Sequence, residues 1–187
     1  MGHVGSLLEA PIDHEQIKFA IVGFALIIAA VFDAWKNRIP NWMTGPLLLV
    51  ALVLSTMWAP DAAWRGFAIS LFAATVAFAL HFVLYLMKLE GAGDAKLMMG
   101  ISAMLGLDMM LEMTAWRYVL LFPYAIITIT VRGRWGNFAA ALRWTIGQFL
   151  GRDMGERPEP TYMPFGPLIA LSYPIALATP WLDYFAK

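Results

Sequence analysis

Long apolar runs without charge are the feature that most constrains the fold of this chain. Residues 66–87, for example, contain no Asp, Glu, Lys or Arg. Over the whole chain 60% of residues are hydrophobic and 14% are charged, whereas soluble domains carry about 25% charged residues. Helices of about 20 apolar residues cross a bilayer and satisfy their own backbone there. The sequence therefore predicts an all-α protein embedded in membrane lipid.

Six runs are candidates for membrane-spanning helices within one polytopic domain that covers residues 1–187. The predicted spans are residues 17–32, 44–60, 66–87, 97–113, 118–131 and 163–182. The fourth is the weakest, because Asp108 and Glu112 intrude near its end. The last run holds four prolines, which predict a kink.

A separate segment, residues 135–151, has the pattern of an amphipathic helix. Trp135, Phe138, Leu142, Ile146 and Phe149 recur at spacings of three and four residues, and polar side chains lie elsewhere around the helix. This pattern predicts a helix that lies in the cytoplasmic interface of the membrane. A short helix packed on the bundle fits the same pattern.

The distribution of basic residues predicts the orientation of the chain. The connections after the first, third and fifth spans hold Lys36, Arg38, Lys88, Lys96, Arg132, Arg134, Arg143, Arg152 and Arg157. The opposite side holds Lys18, Arg65, Arg117 and Lys187. Because cytoplasmic loops are enriched in Lys and Arg, we expect the first set on the cytoplasmic side of the membrane and both termini outside.

Several functional classes are disfavoured by composition. The formal net charge is zero, so nothing indicates a nucleic-acid partner. The chain has no cysteine, which excludes thiolate chemistry and disulfides, and His3, His14 and His81 lack metal-ligand spacing. We expect no metal and no cofactor, and the sequence predicts no particular oligomeric state.

Two aspartates at predicted span ends are the candidates for chemistry. Asp33 closes the first span, where a carboxylate faces the unfavourable end of the helix dipole. Asp94 follows Gly91 and Gly93 just before the fourth span. Each has an ordinary structural interpretation, since Asp33 could pair with nearby basic side chains and Asp94 could cap a helix.

Considered together, the two aspartates indicate more than either does alone. Both are expected at the cytoplasmic boundary of the membrane, and they share a site if the first and fourth helices pack side by side. Two close carboxylates do not both ionise cheaply, so one holds a proton while the other is charged. The charged one accepts a proton from water and the protonated one polarises a carbonyl, as in aspartic proteases.

Three ordered motifs resemble those of a known family. Asp33 followed by Arg-Ile-Pro-Asn at residues 38–41, and Gly-Ala-Gly-Asp-Ala-Lys-Leu at residues 91–97, are similar to the two active-site motifs of the type IV prepilin peptidases, which are GxGD membrane aspartic proteases. Pro-Phe-Gly-Pro at residues 164–167 is similar to a third motif of that family. The resemblance extends from Asp33 to about residue 170.

The resemblance implies cleavage of leader peptides from pilin-like precursors at the cytoplasmic membrane face. It implies Asp33 and Asp94 as the catalytic pair, with Gly91, Gly93, Lys96, Pro40 and Asn41 as supporting residues. It further implies the short peptidase-only form of tight-adherence (Flp-type) pilus systems, because the longer members carry a cysteine-containing domain and also N-methylate their product. We therefore expect no methyltransferase activity.

Two other functions fit a small polytopic protein with these residues. One is a proton- or cation-coupled transporter that uses Asp33, Asp94 and His81, although no acid lies at the predicted mid-membrane level, where coupling residues usually lie. The other is a non-catalytic pilus-assembly protein. For His81 itself, the sequence favours one interhelical hydrogen bond over a role as a proton relay.

Overall fold

The structure, a computed structural model, describes residues 13–87, 89–156 and 165–180. Within these residues the chain forms seven α-helices and no β-strand. The helices are α1 (His14–Lys36), α2 (Asn41–Met57), α3 (Ala63–Leu86), α4 (Ala92–Leu105), α5 (Leu107–Val131), α6 (Trp135–Phe149) and α7 (Gly166–Ala178). The prediction of an all-α fold is confirmed for this part of the chain.

Three of the described helices, α1, α3 and α5, are long and apolar enough to cross a membrane. The apolar helices α2 and α7 have 17 and 13 residues, and α4 has 14 residues, which is shorter than the roughly 20 residues that a full crossing requires. The described part of the chain is thus a helical membrane protein with three candidate spans. Six crossings remain a prediction.

The short helix α4 lies at the centre of the bundle. It packs against α1, α2, α3 and α5, and most of its side chains are buried. Ser70 and Ser102 join α3 to α4 by donating hydrogen bonds of 2.6 Å and 3.0 Å to carbonyl oxygens of the opposite helix. A helix enclosed by protein needs no long apolar surface of its own, because its neighbours shield it from lipid.

The boundary between the fourth and fifth helices differs from the predicted one. The predicted spans 97–113 and 118–131 leave the break at residues 114–117, but the structure divides the helices at Gly106. Gly106 has a φ of 91°, which glycine adopts without steric cost and other residues avoid. The apolar run continues past this turn, so hydropathy alone concealed it.

The correction changes the position of Arg117. The sequence interpretation placed Arg117 in an outside connection, whereas the structure places it inside α5, fully buried. Arg117 is therefore not a loop residue and does not count in the orientation argument. The set of basic residues expected outside is then one residue smaller. Three other residues of that argument, Lys88, Arg157 and Lys187, lie outside the described residues.

Helix α6 agrees closely with the predicted segment 135–151. It packs chiefly against α5, and its five periodic apolar side chains are all exposed, Phe149 to 91%. An exposed apolar face favours the interfacial helix over a helix packed on the bundle. Its contact with lipid stays a prediction.

Candidate active site

Asp33 lies in the last turn of α1 and is only 4% exposed. The helix ends three residues later, where Asn37 adopts a left-handed conformation with φ 53° and donates its N–H to the Asp33 carbonyl oxygen at 2.9 Å. The Asp33 carboxylate accepts a hydrogen bond of 2.7 Å from the backbone N–H of Gly166, at the start of α7. The junction of α1 and α7 therefore fixes this carboxylate.

The junction of α1 and α7 leaves no space for a side chain at residue 166. A Cβ atom at residue 166 would lie 2.7 Å from the Asp33 Cβ and 3.1 Å from the Ala29 carbonyl oxygen. The close approach brings the Gly166 N–H to the carboxylate. This residue belongs to the third sequence motif, whose first member, Pro164, lies outside the described residues.

Asp94 lies in the first turn of α4 and is 5% exposed. Its Oδ2 atom accepts a hydrogen bond of 2.9 Å from the N–H of Gly91, the residue that caps the helix. This is the acidic half of a capping box. Gly93 lies against the α1–α2 connection, because a Cβ there would come within 2.9 Å of the Ile39 Cβ.

One cavity of about 570 Å³ brings all but one of the predicted site residues together. Its lining combines the end of α1, the α1–α2 connection and the start of α4, and it includes Asp33, Lys36, Arg38, Pro40, Asn41, Gly91, Gly93 and Asp94. Lys96 does not line this cavity. Its Nζ donates a hydrogen bond of 2.9 Å to the Asn41 side chain, so it joins α4 to the start of α2.

The environment of Asp94 favours its protonated form. Asp94 lies outside the membrane-spanning segments, because it precedes the predicted fourth span, residues 97–113, and is not part of α1, α3 or α5. Burial raises the pKa of this carboxyl from 3.8 to about 7. The Gly91 N–H and the Arg117 charge act in the opposite direction, while the charges of Asp33 and Glu90 add to the rise. Asp33 and Asp94 are thus close enough to interact electrostatically.

A cluster that the sequence interpretation missed lies beside Asp94. Glu90, 7% exposed, binds His81 of α3 together with Arg117 and Tyr118 of α5. The acid immediately before Gly91, and an arginine within an apolar run, were the signals available in the sequence. Their pairing was hidden because it depends on how α3 and α5 pack.

His81 is fully buried in this cluster. Its Nδ1 lies 2.7 Å from Glu90 Oε2, and its Nε2 lies 3.3 Å from the Thr114 hydroxyl oxygen of α5. The predicted interhelical hydrogen bond is confirmed. Among the described residues, no group of three or more His, Asp or Glu side chains is arranged to hold a metal ion.

Comparison with known proteins places the chain in a family. The model of the type IV leader peptidase family matches residues 20–131, a range that contains both aspartates and the cavity between them. No curated protein and no solved structure matches the chain. Since the family match covers more than half of the sequence, the chain belongs to the type IV leader peptidase family.

Proposed function

We propose that this membrane peptidase removes the leader peptide from type IV or Flp-like prepilins by aspartic chemistry, with Asp33 and Asp94 as the catalytic pair. The observation that carries the proposal is the position of the two carboxylates, which come from different helices, are both nearly buried and line one open cavity. Family membership supports the leader-peptidase reaction in general. The acid pair supplies the specific mechanism.

In this mechanism Asp94 holds the shared proton and Asp33 is the base. Asp33 accepts a proton from a water molecule as the water oxygen attacks the carbonyl carbon of the peptide bond, and protonated Asp94 donates a hydrogen bond to the carbonyl oxygen. The resulting tetrahedral intermediate breaks its C–N bond, and the leaving amine takes a proton from the pair. Because water itself is the nucleophile, the bond is hydrolysed without a covalent enzyme–substrate intermediate.

The cavity is proposed to open at the cytoplasmic face of the inner membrane, with both termini outside. Lys36 and Arg38 lie in its lining, and Arg132 and Arg134 follow α5, whereas the opposite end of the bundle has the exposed ion pair between Arg65 and Asp61. The excess of basic residues favours this orientation. The chain is also proposed to leave the new N-terminus unmethylated, without a metal or cofactor.

Reconstitution tests the proposed function directly. The purified protein in liposomes should shorten a prepilin-like precursor at its leader junction, with a product of unmodified N-terminus by mass spectrometry. A chelator should leave the rate unchanged. Intact precursor combined with proton or cation flux would favour a transporter, and intact precursor bound by the protein would favour an assembly role. Either result would contradict the peptidase proposal.

The pH profile of cleavage should fall on its alkaline side near pH 7. Activity requires protonated Asp94, and burial raises the pKa of this carboxyl to about 7, so kcat/KM should decline as the pH rises through that value. The acid limb reports ionisation of the pair, because coupled carboxylates titrate together. Measuring kcat/KM between about pH 5 and about pH 9 checks this. A flat profile with chemistry rate-limiting would contradict the shared proton.

The Lys96–Asn41 hydrogen bond should contribute little beyond joining α4 to α2. Because it is exposed, we expect Lys96→Met and Asn41→Ala each to lower the free energy of unfolding by less than about 1 kcal/mol. If the two side chains interact only with each other, the double variant should have a free energy of unfolding no lower than that of the less stable single variant. Melting temperatures of all three proteins check this, and cleavage should fall by less than about tenfold. A larger loss from Lys96→Met alone would give Lys96 a role in catalysis.

A further inference from the structure

The buried cluster around Glu90 is the most unusual feature outside the catalytic pair. Glu90 Oε2 lies 2.7 Å from His81 Nδ1, and Glu90 Oε1 accepts hydrogen bonds from the Arg117 guanidinium and, at 2.6 Å, from the Tyr118 hydroxyl. The side chains of Glu90 and His81 are wholly buried, and that of Arg117 is 1% exposed. An ion pair thus lies enclosed within an apolar helix bundle.

Stability alone does not explain this arrangement. Removing a carboxylate and a guanidinium from water costs more than their attraction returns unless every hydrogen-bonding group is satisfied. Here the Nε and Nη1 groups of Arg117 have no hydrogen-bond partner among the described residues. Apolar side chains of similar volume would often stabilise such a site as well or better. Stability is thus a weak reason for this cluster, and its location indicates another.

Its location connects it to Asp94 both mechanically and electrostatically. Glu90 directly precedes Gly91, whose N–H binds the Asp94 carboxylate. One end of the Gly91–Gly93 turn is thus held to α3 and α5 through Glu90, and its other end lies against Ile39. The charges of Arg117 and Glu90 also act on Asp94, with opposite signs.

We propose that Glu90, His81 and Arg117 are positioning residues that hold the Gly91–Gly93 turn, and with it Asp94, in the geometry required for peptide hydrolysis. Glu90 fixes the turn, Arg117 keeps Glu90 ionised and in place, and His81 closes the cluster from α3. The hydrogen bond from His81 and the charge of Arg117 outweigh burial, so the pKa of Glu90 is lowered. This proposal rests on the proposed function, because it assigns these residues to the same reaction.

The two charges give the proposal a distinctive signature. Among the residues that the structure describes, the titratable and charged groups around Asp94 include Asp33 and Lys36 of α1, Arg38 of the α1–α2 connection, Glu90 just before Gly91, His81 of α3, and Arg117 and Tyr118 of α5. Removing the Glu90 charge should lower the pKa of Asp94, and removing the Arg117 charge should raise it. The alkaline limb of the activity profile should therefore move to lower pH in one variant and to higher pH in the other.

The test compares Glu90→Gln, Arg117→Gln and the double variant, with kcat, KM and the pH profile measured on folded protein in liposomes. We expect kcat to fall roughly 10- to 100-fold in each single variant with KM nearly unchanged. A misplaced acid reduces stabilisation of the transition state more than it reduces substrate affinity. The alkaline limbs should shift in opposite directions, and the double variant should bring the limb back towards that of wild type. Arg65→Gln, which removes an exposed ion pair at the other end of the bundle, is the matched control and should match wild type.

The outcomes separate this proposal from the proposed function. Wild-type cleavage and its loss in Asp94→Asn, measured in the same assay, establish the peptidase independently. If the single variants lower the amount of folded protein but leave kcat per folded molecule and the alkaline limb of each pH profile unchanged, the cluster is only structural. The proposal is then overturned. Should the charge-removing variants fail to fold, Tyr118→Phe decides, since it removes one hydrogen bond to Glu90. Its kcat should fall severalfold, and an unchanged kcat overturns the proposal.

Discussion

Asp33→Asn and Asp94→Asn should each reduce leader cleavage by about 10³-fold or more, because each removes one carboxyl of the proposed proton-transferring pair. The variants should insert and fold normally. Asparagine has the same shape as aspartate and keeps an oxygen to accept the Gly166 or Gly91 N–H. The measurement is the rate of precursor shortening by purified protein in liposomes.

The stability of these variants should move in the opposite direction from their activity. Asp33 and Asp94 are both nearly buried, and an amide in place of either carboxyl cannot ionise, so each substitution removes the cost of burying a charge beside a second acid. We expect melting temperatures equal to or above that of wild type. This is the behaviour of residues whose arrangement serves function at the expense of stability.

Asp61→Asn is the matched control for both variants. Asp61 is exposed and pairs with Arg65 at the far end of the bundle, so its neutralisation should leave cleavage unchanged. Cleavage at the wild-type rate by either Asp33→Asn or Asp94→Asn would remove that residue from the mechanism. Loss of cleavage in the Asp61 variant would show instead that any carboxylate change damages the protein.

The sequence predicted the parts of the site that local motifs determine. Asp33 before the Arg-Ile-Pro-Asn segment, and Asp94 after Gly91 and Gly93, were expected to meet if two helices packed together, and the structure brings them to one cavity. Glycines near an acid are informative because they permit close approach of other backbone. Gly93 allows such an approach by Ile39.

The predictions that were wrong, namely the α4–α5 boundary and the position of Arg117, concern features that hydrophobic periodicity does not determine. The end of α4 at Gly106 was missed because the apolar run continues into α5, and one glycine was the only signal. Arg117 was interpreted as a flanking basic residue because a lone arginine usually marks the end of a span. Its actual partner, Glu90, is 27 positions away in sequence. Only the packing of α5 beside the turn brings them together.

Gly166→Ala should reduce kcat about 100-fold with a smaller effect on KM. The added Cβ would lie 2.7 Å from the Asp33 Cβ and 3.1 Å from a backbone oxygen of α1. Since neither atom is the end of a flexible side chain, α1 and α7 must separate, and the Gly166 N–H then moves away from the carboxylate. A displacement of about 1 Å at a catalytic group can cost about 100-fold in rate.

Gly23→Ala tests whether this effect is specific to the site, because Gly23 lies in the same α1–α7 interface. A Cβ at residue 23 would meet the Tyr173 ring at 3.5 Å, an ordinary van der Waals contact. Alanine also favours a helix more than glycine does. We expect Gly23→Ala to cleave precursor at the wild-type rate with an unchanged or higher melting temperature. Equal losses of kcat in the two variants would mean that packing of the whole α1–α7 interface, and not the position of Asp33, sets the rate. Wild-type activity in Gly166→Ala would mean that the Gly166 N–H does not position Asp33, the proposed base.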